Sequence, residues 1–173
     1  MSSNFPKFIE RVLTAEGGFS DDRNDPGNWT SGKVGEGKLL GTKFGIAANT
    51  FPWIDIKNLT REDAIGLYKK YFWDKINGDI LPDAVAYSAL DGAVNSGIQR
   101  SVQWLQEAAQ VADDGVWGPV TAAAITRTDP NDLLLRYNAY RLRFMTRLKV
   151  WPRYGAGYAN RISQNLLYGA EDN

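Results

Sequence analysis

Phe5, Phe8, Ile9, Val12 and Leu13 recur at the i, i+3, i+4, i+7, i+8 spacing of a single helix face. The pattern predicts an amphipathic helix over residues 5–16. Glu16 lies four residues after Val12 and seven after Ile9, so it continues the apolar face rather than the polar one. Gly17 and Gly18 stop the helix, because glycine readily takes the left-handed conformation found just past helix ends. From residue 19 to 50 the periodicity disappears, and Gly, Asp, Asn, Ser and Thr dominate. This composition suits turns and a small irregular hairpin region, and an ordered stretch of this length in a compact domain is often functional.

Helical spacing returns after Thr60, which precedes Asp63 in an arrangement like a capping box, with Ile65, Tyr68 and Phe72 on one side. Pro82 opens a second helix carrying Val85, Tyr87, Leu90 and Val94. The run from Ser101 forms a third, and Pro119 starts a short fourth after the turn D-D-G-V-W-G. Residues 130–150 read as the longest helix, through Leu133, Tyr137, Tyr140, Phe144 and Leu148, ended by Pro152; a last one falls near 154–168. The expected fold class is mainly α, with a small irregular or β lobe near residues 19–50. There is no internal repeat, low-complexity tract or flexible linker, so a second module should pack closely on the first.

With 173 residues and 43% hydrophobic content, the chain suits one compact domain or two small lobes sharing a core. Its 20 basic and 20 acidic residues cancel, so no global field points to nucleic acid. The balance is uneven, however: residues 127–161 hold eight basic side chains and only Asp129 and Asp132 as acids. That excess reads either as a solvated helix face or as attraction to an anionic polymer or lipid. Cysteine and histidine are both absent, which excludes disulfides, thiolate chemistry, imidazole bases and histidine metal sites. Asp21-Asp22 and Asp113-Asp114 lack the ladder of a calcium loop and read as turn residues, so no metal and no cofactor is expected. No stretch is long and apolar enough for a membrane span, and the N-terminus lacks the basic and apolar regions of a signal peptide.

Acid-base chemistry near neutral pH therefore falls to carboxylates. A glutamate at the end of an apolar helix face is partly desolvated, which raises its pKa and suits it to protonate a leaving glycosidic oxygen. Asp25 follows in a polar turn where it can stay ionised. Two carboxylates in contrasting environments form the glycosidase pattern, although a glutamate before two glycines also serves simply as a cap or a salt-bridge partner.

The string A-E-G-G-F-S around Glu16, D-P-G from Asp25 and G-T-K-F-G-I from Gly41, in that order, resembles the lysozyme-like muramidases of glycoside hydrolase family 108. L-D-G-A-V-N-S-G from Leu90, W-L-Q from Trp104 and A-D-D-G-V-W-G-P-V-T from Ala112 look like the peptidoglycan-binding module often fused to these enzymes. The resemblance covers roughly residues 5–165 and implies a lysozyme-like fold. It also implies a catalytic domain over 1–88 and a helical binding-like module over 89–173. Glu16 matches the family's catalytic glutamate and Asp25 the D-P-G aspartate that would help place the attacking water. The family's threonine is matched by Thr30 or Thr42. Thr42 is favoured because it keeps the link to Gly45 and Ile46. Asn28 departs from the family's D-P-G-G, and an insertion follows before T-K-F-G-I.

The implied activity is hydrolysis of the β-1,4 bond between N-acetylmuramic acid and N-acetylglucosamine, as in a phage endolysin. A lytic transglycosylase acting on the same bond and a non-catalytic wall-binding protein are the alternatives. The expected partner is the peptidoglycan glycan strand, with no nucleic acid, no stable membrane insertion and a monomeric state. Synthesis in the cytoplasm, followed by release through a holin pore, is the matching localisation. Trp29 beside Asp25 is the aromatic expected at the glycan, with Thr30 and Asn95 as further contacts, although Asn95 also reads as a helix C-cap. Trp53, Trp73, Trp104 and Trp151 read as core, and Trp117 as packing within its turn.

Overall fold

The computed structural model describes residues 4–14 and 18–173. Seven α-helices and a two-stranded sheet order the described residues, which makes the protein mainly α as the periodicity predicts. The chain divides by packing into two units, Pro6–Lys69 and Lys70–Asn173, the latter joined by the start of the chain up to Phe5.

The first helix, α1, is described over Phe5–Thr14. Its five periodic residues are all buried, from Phe8 with no exposure to Val12 and Leu13 at 6%. In the unit Pro6–Lys69 the chain then enters the irregular lobe. Ser20 pairs with Thr42 in an antiparallel bridge, through Ser20 N to Thr42 O at 2.9 Å and Thr42 N to Ser20 O at 2.8 Å. Strand β1, Thr42–Lys43, turns into β2, Ile46–Ala47, in the register Thr42 to Ala47 and Lys43 to Ile46. Phe44 and Gly45 between them both take positive φ, 52° and 74°. That is what the tightest two-residue hairpin turns require. Phenylalanine rarely adopts this conformation, and here Tyr68 holds the turn by donating its hydroxyl to the Phe44 carbonyl at 3.0 Å. Gly41 has no substitute, since a Cβ there would sit 2.6 Å from the Ser20 carbonyl oxygen.

Helix α2, Arg61–Tyr68, starts with the expected capping box: Thr60 accepts from Asp63 N, and the Asp63 carboxylate accepts from Thr60 N. The Thr60 hydroxyl, donating to Asp63 Oδ2 at 2.6 Å, and then the Thr60 amide hold the Asp63 carboxyl below its usual range. Beyond Tyr68 the helix widens into a π turn over Lys69–Trp73. The extra residue changes which side chain is buried, so Trp73 is enclosed at 1% exposure while Phe72 is only half-buried.

In the other unit, α3, Asp83–Ser96, is the central element: all ten residues from Ala84 to Ala93 are buried. Helices α4 (Ile98–Ala108), α6 (Pro130–Met145) and α7 (Trp151–Asp172) all pack on it, and α5 (Pro119–Arg127) packs on α4. A helix covered on several sides cannot be amphipathic. Residue 88, the functional boundary expected from the sequence, lies inside this helix.

Pro152 does not end α6, which stops at Met145; it occupies the first turn of α7, the longest helix. There a missing N–H breaks no helical bond, so proline marks a beginning as readily as an end.

The second unit's signature motifs are used in packing. Asp91 of L-D-G is a buried carboxylate with Arg141 Nη1 at 2.7 Å, Arg161 Nη1 at 2.8 Å and Asn165 Nδ2 at 2.9 Å. Arg141 is fully buried, and it lies in ion-pair range of Asp91 but off the hydrogen-bond direction, so its guanidinium donors find no acceptor among the described residues. Gly92 leaves room for the Tyr137 hydroxyl, which a Cβ would approach to 2.0 Å. Tyr137 meets Ser101 Oγ at 2.8 Å, and burial pushes its pKa well above the usual range. The D-D-G-V-W-G-P-V-T turn closes on the buried Gln106 side chain. Gln106 accepts from Gly115 N at 2.8 Å and donates to Asp114 Oδ1 at 2.8 Å, with Thr121 Oγ1 and the Val116 carbonyl each 3.0 Å away. The Val116 amide and Gln106 together hold the Asp114 carboxyl low.

Trp73 and Trp104 are core, as their setting predicts, and Trp117 and Trp151 are half-buried. Trp53 is not core: 64% of it is exposed, edge-on to Phe51 in the segment F-P-W.

Candidate active site

The D-P-G turn is built by its own residues. Asp25, exposed and extended at φ −87°, caps a single 3-10 turn over Pro26–Asn28, and its Oδ1 accepts from Gly27 N at 2.8 Å. Proline at the first position costs no hydrogen bond and presets the turn. One carboxylate oxygen of Asp25 is thereby held in place, and the other takes no hydrogen bond from a described residue.

Asn28, the residue that departs from the family pattern, joins the pieces of this lobe. It is completely buried. Its Oδ1 accepts the Thr42 hydroxyl at 2.7 Å, and its Nδ2 donates to the Asp22 carbonyl at 2.9 Å. Its own carbonyl accepts from Leu40 N and Gly41 N. Every polar group of the side chain is therefore satisfied, as a buried amide requires. Asn28 locks the turn that carries Asp25 to the strand that carries Thr42. Thr42 donates its proton to Asn28, which leaves the hydroxyl lone pairs to receive a hydrogen bond.

The two threonines thus have different settings. Thr30 is turned to the insertion: its Oγ1 accepts from Lys38 N at 3.0 Å, and its amide donates to the Lys38 carbonyl at 2.9 Å. Ser31 closes the same loop by donating to the Glu36 carbonyl and accepting from Lys33 N. Thr42, through Asn28, is the threonine coupled to the Asp25 turn.

Trp29 is half-buried and bridges to Leu39, and its indole N–H donates to the Arg23 carbonyl at 3.0 Å. The ring is held by the same turn that presents Asp25. Glu16 lies outside the described residues. Asn95 belongs to the other unit, in the last turn of α3, where its Nδ2 donates to the Asp91 carbonyl at 2.8 Å and to Asp91 Oδ1 at 3.0 Å. It does not cap the helix, since Gly97 holds that position.

Two residues carry more of the architecture than their sequence signal suggests. Asn28 reads only as a departure from a motif, and Asp91 only as a letter within L-D-G. Asp91 does have a sequence signal, since a carboxylate in the middle of a run of small and apolar residues implies buried cations elsewhere.

Among curated proteins none matches this chain. A solved structure described as "Structure of Brucella abortus SagA" is similar over 98% of this chain and 95% of its own, at 29% identity and a TM-score of 0.82. With that match the helical frame and its small sheet are consistent with a lysozyme-like fold. The family model Glycosyl hydrolase 108 matches residues 9–97, a span that contains Glu16, Asp25, Trp29, Thr30, Thr42 and Asn95. More than half of the chain lies within that match, and the protein belongs to glycosyl hydrolase family 108, which makes it a glycosidase of the peptidoglycan-hydrolase kind.

Proposed function

We propose that this glycosidase is an N-acetylmuramidase that hydrolyses the β-1,4 bond between N-acetylmuramic acid and N-acetylglucosamine in peptidoglycan. The observation that supports this reading best is the Asn28 lock, which couples the exposed Asp25 carboxylate to the Thr42 hydroxyl in one rigid lobe. The remaining member is Glu16, taken as the general acid from its A-E-G-G-F motif, which lies within the matched span.

In this mechanism Glu16, protonated, gives its proton to the leaving glycosidic oxygen. Asp25, with one oxygen tied to Gly27 N, uses the other to orient water toward the anomeric carbon. The Thr42 hydroxyl, its proton engaged by Asn28, accepts from that water or from a substrate hydroxyl. Such placed polar groups act by stabilising charge as it develops in the transition state. Trp29 offers an apolar face to a sugar ring. Release through a holin pore, as for an endolysin, would bring such an enzyme to the wall.

Digestion of purified sacculi by the wild type and by Glu16→Gln tests the reading. The wild type is expected to release muropeptides with reducing muramic ends, and Glu16→Gln to lose this activity by a factor of about 10² or more, as for loss of a general acid. Products ending in 1,6-anhydromuramic acid would instead identify a lytic transglycosylase. Full clearing by a folded Glu16→Gln variant would end the proposal.

A further inference from the structure

Three depressions in the unit Lys70–Asn173 share lining residues and form one track. One, about 390 Å³, lies between the ends of α3 and α6 and the start of α7, where Tyr154, Tyr158 and Arg161 line it. It shares Ser96 with a second of about 390 Å³ along the first turns of α4. The second shares Arg100 with a third of about 180 Å³ between α4 and α6.

The charge along this track is one-sided. The third depression holds Arg100, Arg143 and Arg147 against a single Glu107. None of these arginines is ion-paired to a described residue. Arg100 lies over the Phe144 ring at 4.7 Å and Arg143 over Tyr140 at 5.8 Å. Stacking of this kind steadies a guanidinium while leaving its N–H edges for an acceptor. At the other end Arg161 shares Asp91 with the buried Arg141, so one carboxylate stands against two cations. Helix packing needs neither three guanidiniums on one groove without an ion pair among the described residues nor rings laid beneath two of them.

We propose that this track binds the carboxylates of the peptide chains attached to muramic acid. The inference rests on the muramidase reading, because it takes the ligand from the same polymer. The choice of peptide over sugar follows from charge. In peptidoglycan the lactyl carboxyl of muramic acid is consumed in the amide bond to the peptide and the N-acetylated sugars are neutral, so negative charge sits on the peptide carboxylates. Arginine forks bind carboxylates in two-point geometry, and the tyrosine and phenylalanine faces suit the apolar body of a short peptide. Of the basic residues in 127–161, Arg143, Arg147 and Arg161 line this track.

The test uses full-length Glu16→Gln protein, so that binding is read without digestion, and two preparations of sacculi, native and with free carboxyls converted to amides. Binding to amidated sacculi is expected to be weaker by at least about tenfold, and Arg100→Gln/Arg143→Gln/Arg147→Gln in the same background should lose at least about tenfold on native sacculi. Arg147→Gln alone, at an exposed site, gives the same direction with a smaller loss and guards against misfolding of the triple variant. Equal binding to the two preparations overturns the proposal, as does unchanged binding by both variants. Tighter arginine-dependent binding to anionic vesicles or duplex DNA than to native sacculi also overturns it. Hydrolysis by the wild type is scored separately. Discrimination without cleavage supports the track and refutes the muramidase reading, and cleavage without discrimination does the reverse.

Discussion

Asn28 is the residue whose loss should be felt most in the lobe. Asn28→Ala removes the acceptor of the Thr42 hydroxyl and the donor to the Asp22 carbonyl. Leaving buried polar groups unpaired costs about 1–3 kcal/mol. Sacculus clearing is expected to fall further than stability alone explains, because the Asp25 turn and Thr42 lose their common tie. Denaturant unfolding followed by a clearing assay at a temperature where the variant stays folded separates the two effects. Thr30→Val is expected to loosen the insertion and to reduce clearing less than Thr42→Val does. At this scale the sequence was legible wherever a residue's type carried the message, as in the D-P-G turn that shapes Asp25. It was illegible at Asn28, because one amide both breaks a motif and replaces it with a lock, and only its partners reveal which.

Among the elements, α1 and the cap of α2 were readable in advance, since both depend on residues within one or two helical turns of each other. The Asp63 carboxyl is held low by Thr60, so its contribution to α2 is complete above the ordinary value of 3.8 and fades as pH falls through the lower folded value. The melting-temperature difference between wild type and Asp63→Ala should therefore be constant near neutral pH and shrink in acid; a difference that grows in acid would contradict the cap. In α3 the decisive group is Asp91. Asp91→Ala leaves Arg141, wholly buried, without its counter-charge. Breaking a buried pair in this way costs about 3–5 kcal/mol, measurable by chemical denaturation. The boundary between α6 and α7 is not legible in the sequence, because proline stops a helix or starts one, and local spacing does not distinguish the two.

For the whole molecule, the family match ends at residue 97 while α3, which closes that span, is buried by α4, α6 and α7. A fragment of residues 1–97 would strip α4, α6 and α7 from around α3 and present buried positions of that helix to water, and the functional division expected at residue 88 would cut the helix itself. Fragments ending at 88 or 97 are therefore expected to aggregate or to lack a cooperative melt, whereas the full chain melts cooperatively. Soluble expression and thermal circular dichroism of the three chains check this. Helix α3 and the C-terminal helices α4, α6 and α7 then depend on one another for folding.

The chain by itself determined the helical class, the apolar face of α1, the caps and turns, and the order of residues that places the protein in its family. Each of these rests on spacings of a few residues, where backbone geometry and side-chain chemistry act locally. The tertiary structure alone decided that Asn28 joins Asp25 to Thr42, and that Asp91 gathers Arg141 and Arg161 from other helices. It also drew the scattered arginines of α4 and α6 onto one groove. These partners are far apart along the chain, and burial, which makes an unpaired polar or charged group costly, selects them only once the helices have packed.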